Sequence, residues 1–255
     1  NTPPTLLATE YPKNILWCTA WESEVNSAVP FQSNGSLAIR RKAGKDAYLR
    51  ITEKGKGDTW TSLAQAQWLV TKYPYLAFRV RRPEMKKGED THISLEIELG
   101  KGKGRVAVAL TEPAEKDQVS LPQAINWQSN TWHGVTLDLP KILASKFSVK
   151  DLEDTPVEII RLKQHKGDAE VTLDLQSVFV FAPWRPEDKV KVNAFDASGI
   201  DGITWSYEDT TENMSVAPAS LMSEGKGNRW IMMRAVDRAG NLSVPIRIPV
   251  ADLKD

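Results

Sequence analysis

Apolar and polar residues alternate along most of this chain. The cleanest case is His92-Ile93-Ser94-Leu95-Glu96-Ile97-Glu98-Leu99, apolar at every odd position and polar at every even one. That pattern predicts a strand with one buried face and one wet face. The same period of two runs through Tyr48 to Thr52, Leu76 to Arg81, Arg105 to Thr111, Gly134 to Leu139, Val157 to Leu162 and Val171 to Phe181. In the first such run it sets Ile15, Trp17, Thr19 and Trp21 against Leu16, Cys18, Ala20 and Glu22. Lys54-Gly55-Lys56-Gly57, Lys101-Gly102-Lys103-Gly104 and Glu112-Pro113 read as the turns between strands. Helix is scarce: Pro140 to Ala144 predicts one turn or two, with proline suited to the first position. Many short strands with little helix predict an all-β protein of antiparallel sandwiches.

The last long strand runs into Ala182-Pro183-Trp184-Arg185-Pro186-Glu187-Asp188, where two prolines and a charge cluster mark a boundary. A chain of 255 residues is long enough for two cores, here residues 1–185 and 186–255. Past the boundary, Phe195-Asp196-Ala197-Ser198-Gly199-Ile200 is answered by Arg234-Ala235-Val236-Asp237-Arg238-Ala239-Gly240-Asn241. Each joins an apolar strand to an Asp-x-small-Gly turn, in which Asp bonds the backbone two residues on and Gly supplies positive φ. Phe195, Trp205 and Trp230 would give residues 186–255 an aromatic core of their own, so this part is expected to fold alone, with Trp184 sealing the junction.

Lys and Arg number 33, as do Asp and Glu, so nothing in the charge favours nucleic acid or an acidic membrane surface. No apolar run approaches the ~20 residues of a membrane helix, which argues against membrane insertion. No charged segment followed by an apolar one opens the sequence, and the expectation is a chain that begins after a removed signal peptide or is cut from a longer protein. Cys18 is the single cysteine, which excludes an intrachain disulfide and a cysteine-rich metal site. Its place in an apolar strand predicts a buried thiol.

Several strands carry family motifs. Trp21-Glu22 stands as an opening aromatic-acid pair, and Ala47-Tyr48-Leu49-Arg50-Ile51, just after Gly44, as a second strand. Tyr73 to Arg81 fits a central strand, Trp132 to Leu139 a later one, and Thr172 to Val178 a closing strand, with Leu175 where an Asn is usual. In these motifs residues 14–182 resemble the galactose-binding-like jelly roll of many carbohydrate-binding modules. Residues 190–250 resemble the small immunoglobulin-like domains of secreted bacterial proteins. The resemblance implies a jelly-roll sandwich followed by an Ig-like sandwich, a secreted or cell-surface setting, a polysaccharide or oligosaccharide partner, and further domains on the same polypeptide. It also implies a structural calcium held by Glu22, by Asp46 or carbonyls near Gly44, and by Asp174. A hard cation takes six to eight oxygens, and a carboxylate inside an apolar strand needs a partner. An arginine on the sheet is the alternative partner for Asp174.

Nine tryptophans bear on the ligand, because indole rings stack on the apolar faces of sugars while amide, carboxylate and guanidinium groups bind hydroxyls. Trp60 and Trp68 would share a face if Thr59 to Val70 were one unbroken strand. With Leu76, Phe78 and Val80 apolar, Tyr75, Arg79 and Arg81 fall on the opposite, ligand-facing side. Trp127 sits in a loop-like segment and is the expected exposed indole. Trp17 or Trp21, Trp132 and Trp205 read as core. Catalysis finds little support: Glu96-Ile97-Glu98 lacks the third acid of the jelly-roll hydrolase pattern E-x-D-x-x-E, His92, His133 and His165 carry no lyase motif, and no G-x-S-x-G occurs. The reading is a non-catalytic carbohydrate-binding module. The alternative is a structural or adhesive spacer without a sugar site, and two or more solvent-exposed tryptophans lying together on the concave sheet or at one loop end would separate the two.

Overall fold

The computed structural model describes residues 2–19, 32–42, 45–52, 57–64, 67–84, 92–111, 116–121, 125, 127, 130–165, 171–185, 188–207 and 229–251. Its strands in the first half are β1 (Thr5–Glu10), β2 (Ile15–Thr19), β3 (Ser36–Lys42), β4 (Lys45–Thr52), β5 (Thr59–Ala64), β6 (Tyr75–Arg81), β7 (His92–Leu99) and β8 (Gly104–Ala109). After β9 (Gln118–Ser120) and β10 (Trp132–Asp138) come helices α1 (Leu139–Leu143) and α2 (Val149–Asp154), then β11 (Val157–His165) and β12 (Thr172–Phe181). The chain ends through β13 (Lys191–Phe195), β14 (Ile200–Tyr207), β15 (Arg229–Asp237) and β16 (Ile246–Val250).

Two sheets make the larger sandwich. One has six strands in the order β10-β6-β12-β4-β3, with β2 also paired to β12, and the other has five in the order β5-β11-β7-β8-β9. Between β4 and β12 most connections cross from one sheet to the other, which is the jelly-roll pattern. The alternation seen in the sequence builds the core: Ile93, Leu95, Ile97 and Leu99 of β7 face Phe78 and Val80 of β6 and Leu173 and Leu175 of β12, all buried. Each such side chain contributes about 1.5–3 kcal/mol on burial. Helix α1 lies where Pro140 predicts it, with the Asp138 carboxylate accepting from the Lys141 N–H at 3.1 Å. Helix α2 was not anticipated: of its six residues Leu152 alone is buried, so it shows no apolar period. Its legible mark is the Ser148-Asp151 capping box.

The smaller unit packs a three-stranded sheet, β14-β15-β16, with the pair β1-β13. Its first strand comes from the start of the chain: Thr5 to Glu10 pairs antiparallel with Lys191 to Phe195, although the sequence groups residues 1–185 apart from 186–255. The expected Asp-Gly turns form. Asp237 is buried and accepts from the N–H groups of Ala239 and Asn241, while Gly240 takes φ 82°.

Both units share one apolar cluster. Cys18 of β2, Tyr75 and Ala77 of β6, and Phe179 and Phe181 of β12 pack from the outer face of the six-stranded sheet against Trp230, Ile231 and Met233 of β15. Trp184 lies in this junction, 2% exposed, its indole N–H donating to the Pro249 carbonyl at 3.0 Å. A core expected to belong to residues 186–255 alone is therefore completed by β1 and by the jelly roll.

Candidate functional site

The outer face of the six-stranded sheet is half apolar and half polar, and a bulge in β12 divides it. Gln176 pairs with Arg79 and Phe179 with Ala77, so two residues, Ser177 and Val178, stand against one on β6. Ser177 takes φ 53° to fit the extra residue. On one side Asp174 and Gln176 point outward; on the other Phe179 and Phe181 do, under the smaller unit.

The polar half is built by alternation on four strands. Leu49 and Ile51 of β4 enter the core, which turns Tyr48 and Arg50 outward, and on β10 Trp132 pairs opposite Arg81 and shares its outward side. Asp174, fully buried, is the hub: its Oδ1 accepts from Arg50 Nε at 2.7 Å and its Oδ2 from Arg50 Nη2 at 3.0 Å and Arg81 Nη2 at 2.5 Å. The hydrogen bond to Asp174 holds the Arg50 guanidinium above its ordinary pKa. Arg81 lies between two rings, 5.0 Å from the Tyr48 centroid and 4.6 Å from that of Trp132, and the rings meet edge to face at 6.0 Å. Arg79 is 5.3 Å from Trp132 and donates to Gln176 Oε1, and Gln176 donates to the Ala47 carbonyl at 3.3 Å. The result is a pair of half-exposed rings fixed in angle by guanidinium groups, beside carboxylate and amide groups. The smaller unit borders it at Gly134, where a Cβ would fall 2.6 Å from Trp230 Nε1.

The residues picked out in the sequence divide. Arg79 and Arg81 share one face as expected and belong to this patch. Tyr75 shares their side of β6 but is 7% exposed, covered by the smaller unit and 5.5 Å from Phe181, so it is a junction residue rather than a ligand-facing one. Trp60 and Trp68 do not lie on one strand: β5 ends at Ala64, and Trp68 is a buried core residue bridged to Val157. Trp60 keeps a half-exposed ring on the outer side of the five-stranded sheet, with Arg161 5.7 Å away. Trp127 is half buried against the core, its indole N–H donating to the Leu110 carbonyl at 2.9 Å, which corrects its reading as an exposed indole. Tyr48 and Trp132, which the sequence reading passed over or placed in the core, are the rings that the patch presents. Their signal was strand parity: Tyr48 stands one position from Leu49, and Trp132 an odd number of positions from Val135 and Leu137, all of which enter the core.

Of the implied calcium ligands, Glu22 and the Asp46 side chain lie outside the described residues. Asp174 does not fit a cation, because both its oxygens already carry guanidinium donors whose charge would repel the ion. Among the described residues no three His, Cys, Asp or Glu come together to hold a metal.

A second cluster of titratable groups sits on the five-stranded sheet. Burial pushes the Glu96 carboxyl up, but Lys163 at 2.8 Å, with Arg105 and Arg161, outweighs it and holds the group below the usual carboxylate range. That suits a fixed anion, not an acid catalyst. Ser94 Oγ is 3.0 Å from His165 Nε2, and His165 Nδ1 is 3.2 Å from Asp58 Oδ2, in the connectivity of a hydrolytic triad. Ser94, however, lies on a strand paired on both sides, so the neighbouring N–H groups are spent in the ladder and leave no oxyanion donors. Burial lowers the His133 pKa.

No family model matches the chain, and no curated protein matches it. Among solved structures, the family 30 carbohydrate-binding module of the cellulosomal cellulase Cel9D-Cel44B of Clostridium thermocellum is 12% identical over 69% of this chain and 97% of that one, with a TM-score of 0.37. The glycoside hydrolase domain of Endo-D from Streptococcus pneumoniae R6 is 10% identical over 87% of this chain, with a TM-score of 0.36. The beta-1,2-glucanase from Parabacteroides distasonis is 13% identical over all of this chain, with a TM-score of 0.36. The chain spans 37% of the length of each of the two hydrolases. At such scores the likeness assigns no function, and the geometry has to do so.

Proposed function

We propose that this chain is a non-catalytic carbohydrate-binding module of a secreted or cell-surface bacterial protein, a jelly roll with an Ig-like companion, and that the Tyr48-Trp132 patch binds the saccharide. The observation that supports this is the arrangement itself: two rings set at 69° to each other, locked by Arg81, with Arg50, Asp174 and Gln176 alongside. A sugar stacks its apolar face on such a ring and spends its hydroxyls on the exposed edges of Arg50 and Arg81, which the fully buried Asp174 and Gln176 hold in place from beneath. The rings are preorganised by contacts within the sheet, so little side-chain freedom is lost on binding.

The test is retention of the whole chain on a panel of immobilised polysaccharides, followed by Trp132→Ala and Tyr48→Ala on the best of them. Loss of a stacking ring at a binding hot spot costs about 2 kcal/mol, so affinity should fall more than about ten-fold. The melting temperature should stay close to that of the parent. If both variants are folded and are retained as before, or if no glycan retains the parent, the spacer reading replaces this one.

A further inference from the structure

On the opposite side of the jelly roll, the outer face of the five-stranded sheet carries a cleft of about 690 Å³. It is lined by Glu96 and Lys163, by Arg105, Lys116 and Gln118, and by Ser145 and Lys146 after α1. Among the described residues no Trp, Tyr or Phe lines it, so stacking on such a ring is not its mode. Charge is. Glu96, 5% exposed, is shared by Lys163 at 2.8 Å, Arg105 at 3.1 Å and Arg161 at 3.1 Å, and Arg161 also reaches Glu98 at 3.0 Å. Lys146 donates to the Arg105 carbonyl at 2.9 Å, a neutral acceptor. Of the described residues that line the cleft, Arg105, Lys116, Lys146 and Lys163 stand against Glu96 and Asp117, with Asp58 behind His165 at 3.2 Å. The whole chain is neutral, so a local positive excess is a property of this face rather than of the composition.

We propose that this cleft is a second binding site, for an anionic saccharide residue such as a uronate, whose carboxylate sits among Lys163, Arg105, Lys116 and Lys146. Gln118, Ser145 and the Ser94-His165 pair are the further polar groups that line the cleft, for its hydroxyls. The volume admits one or two sugar rings. That the anion is borne on a sugar rests on the carbohydrate reading above; that the cleft takes a carboxylate does not. The two faces would thus bind by different physics, rings on one and charge on the other.

Digalacturonate is the probe, titrated into the whole chain by calorimetry and by amide shifts, with the neutral galactose disaccharide and free acetate in parallel. The expected result is binding of digalacturonate that weakens steeply with salt, with shifts in β7, β8 and β11, and no binding of the neutral disaccharide there. The doubly substituted Lys116→Gln/Lys146→Gln chain, altered only at surface lysines, should lose about ten-fold in affinity or more. Trp132→Ala should leave this binding unchanged, which separates failure here from failure of the Tyr48-Trp132 patch. Acetate bound as tightly as digalacturonate would reduce the site to simple anion binding and overturn the saccharide part. Absence of binding, shifts confined to the polar half of the six-stranded sheet, or full affinity in the double lysine variant would overturn the site altogether.

Discussion

The two halves of one sheet face have opposite fates. Strands β6 and β12 run through both, yet beyond the Ser177 bulge they present Tyr75, Ala77, Phe179 and Phe181 to the smaller unit, and before it Arg79, Arg81, Asp174 and Gln176 to the aromatic patch. One inserted residue resets which side chains point out, so a continuous strand serves as an adhesive for a neighbouring unit at one end and as a candidate binding surface at the other. Apolar burial holds the first half and charge pairing holds the second. The comparison therefore makes different predictions for each half.

The largest effect is expected on the apolar side. Residues 186–255 alone lack β1, the partner of β13, and lack Phe179, Phe181, Tyr75 and Trp184, against which β15 packs. The isolated segment should give a collapsed, poorly dispersed amide spectrum, whereas the whole chain should be well dispersed. A dispersed, cooperatively melting fragment would show that the junction is mere contact and that the smaller unit carries a sufficient core.

The polar half should break through Asp174. With Asp174→Ala, two guanidiniums beside a fully buried position lose the carboxylate they share, and breaking a buried pair costs about 3–5 kcal/mol. Arg50 is 28% and Arg81 16% exposed, and water reaching them brings the expectation to the lower end. Asp174→Asn, which keeps an acceptor but not the charge, should lose less. Urea unfolding of both variants checks this; a cost under about 1 kcal/mol for Asp174→Ala would mean that the rings, not the carboxylate, hold the arginines in place.

How far the sequence reveals this division depends on parity. Period two correctly set Leu76, Phe78 and Val80 against Tyr75, Arg79 and Arg81, because β6 has no irregularity of its own. In β12 the same rule would put Leu173, Leu175, Phe179 and Phe181 on one face. The bulge sends the two phenylalanines to the other, and no residue type marks Ser177 as the point where this happens. Tyr75 was on the right side of the strand but in the wrong half, since what covers a face is decided by partners distant in the chain. Tryptophan frequency says nothing of direction, so it leaves Trp132 in the core; the outward position of Arg81, its pairing partner, is what turns the ring out. Trp60 and Trp68 failed on continuity, as β5 stops before Trp68.

The seam between the halves can be probed at Gly134, on β10 beside Arg79. A methyl there would lie 2.6 Å from Trp230 Nε1 and 2.8 Å from its Cδ1, in a rigid indole that is 5% exposed and edge to face with Phe179. Overpacking of this kind costs about 1–3 kcal/mol. Gly134→Ala should lower the melting temperature, with amide shifts concentrated in β15 and not in β7. Unchanged stability would mean that the smaller unit gives way easily, and that the two halves are less tightly joined than their shared cluster implies.

The smallest effect sharpens what the polar half recognises with. The Tyr48 hydroxyl accepts from Arg50 Nη2 at 3.4 Å, a long hydrogen bond whose removal should cost no more than about 0.5 kcal/mol. Tyr48→Phe keeps the ring against Arg81 and Trp132, so the melting curve should barely move. If stacking is the mode, Tyr48→Phe should bind the retained polysaccharide within about two-fold of the parent while Tyr48→Ala loses most of its affinity. Equal losses in the two variants would assign the contribution to the hydroxyl, and the polar half would then act as a hydrogen-bonding surface whose rings serve to position its arginines.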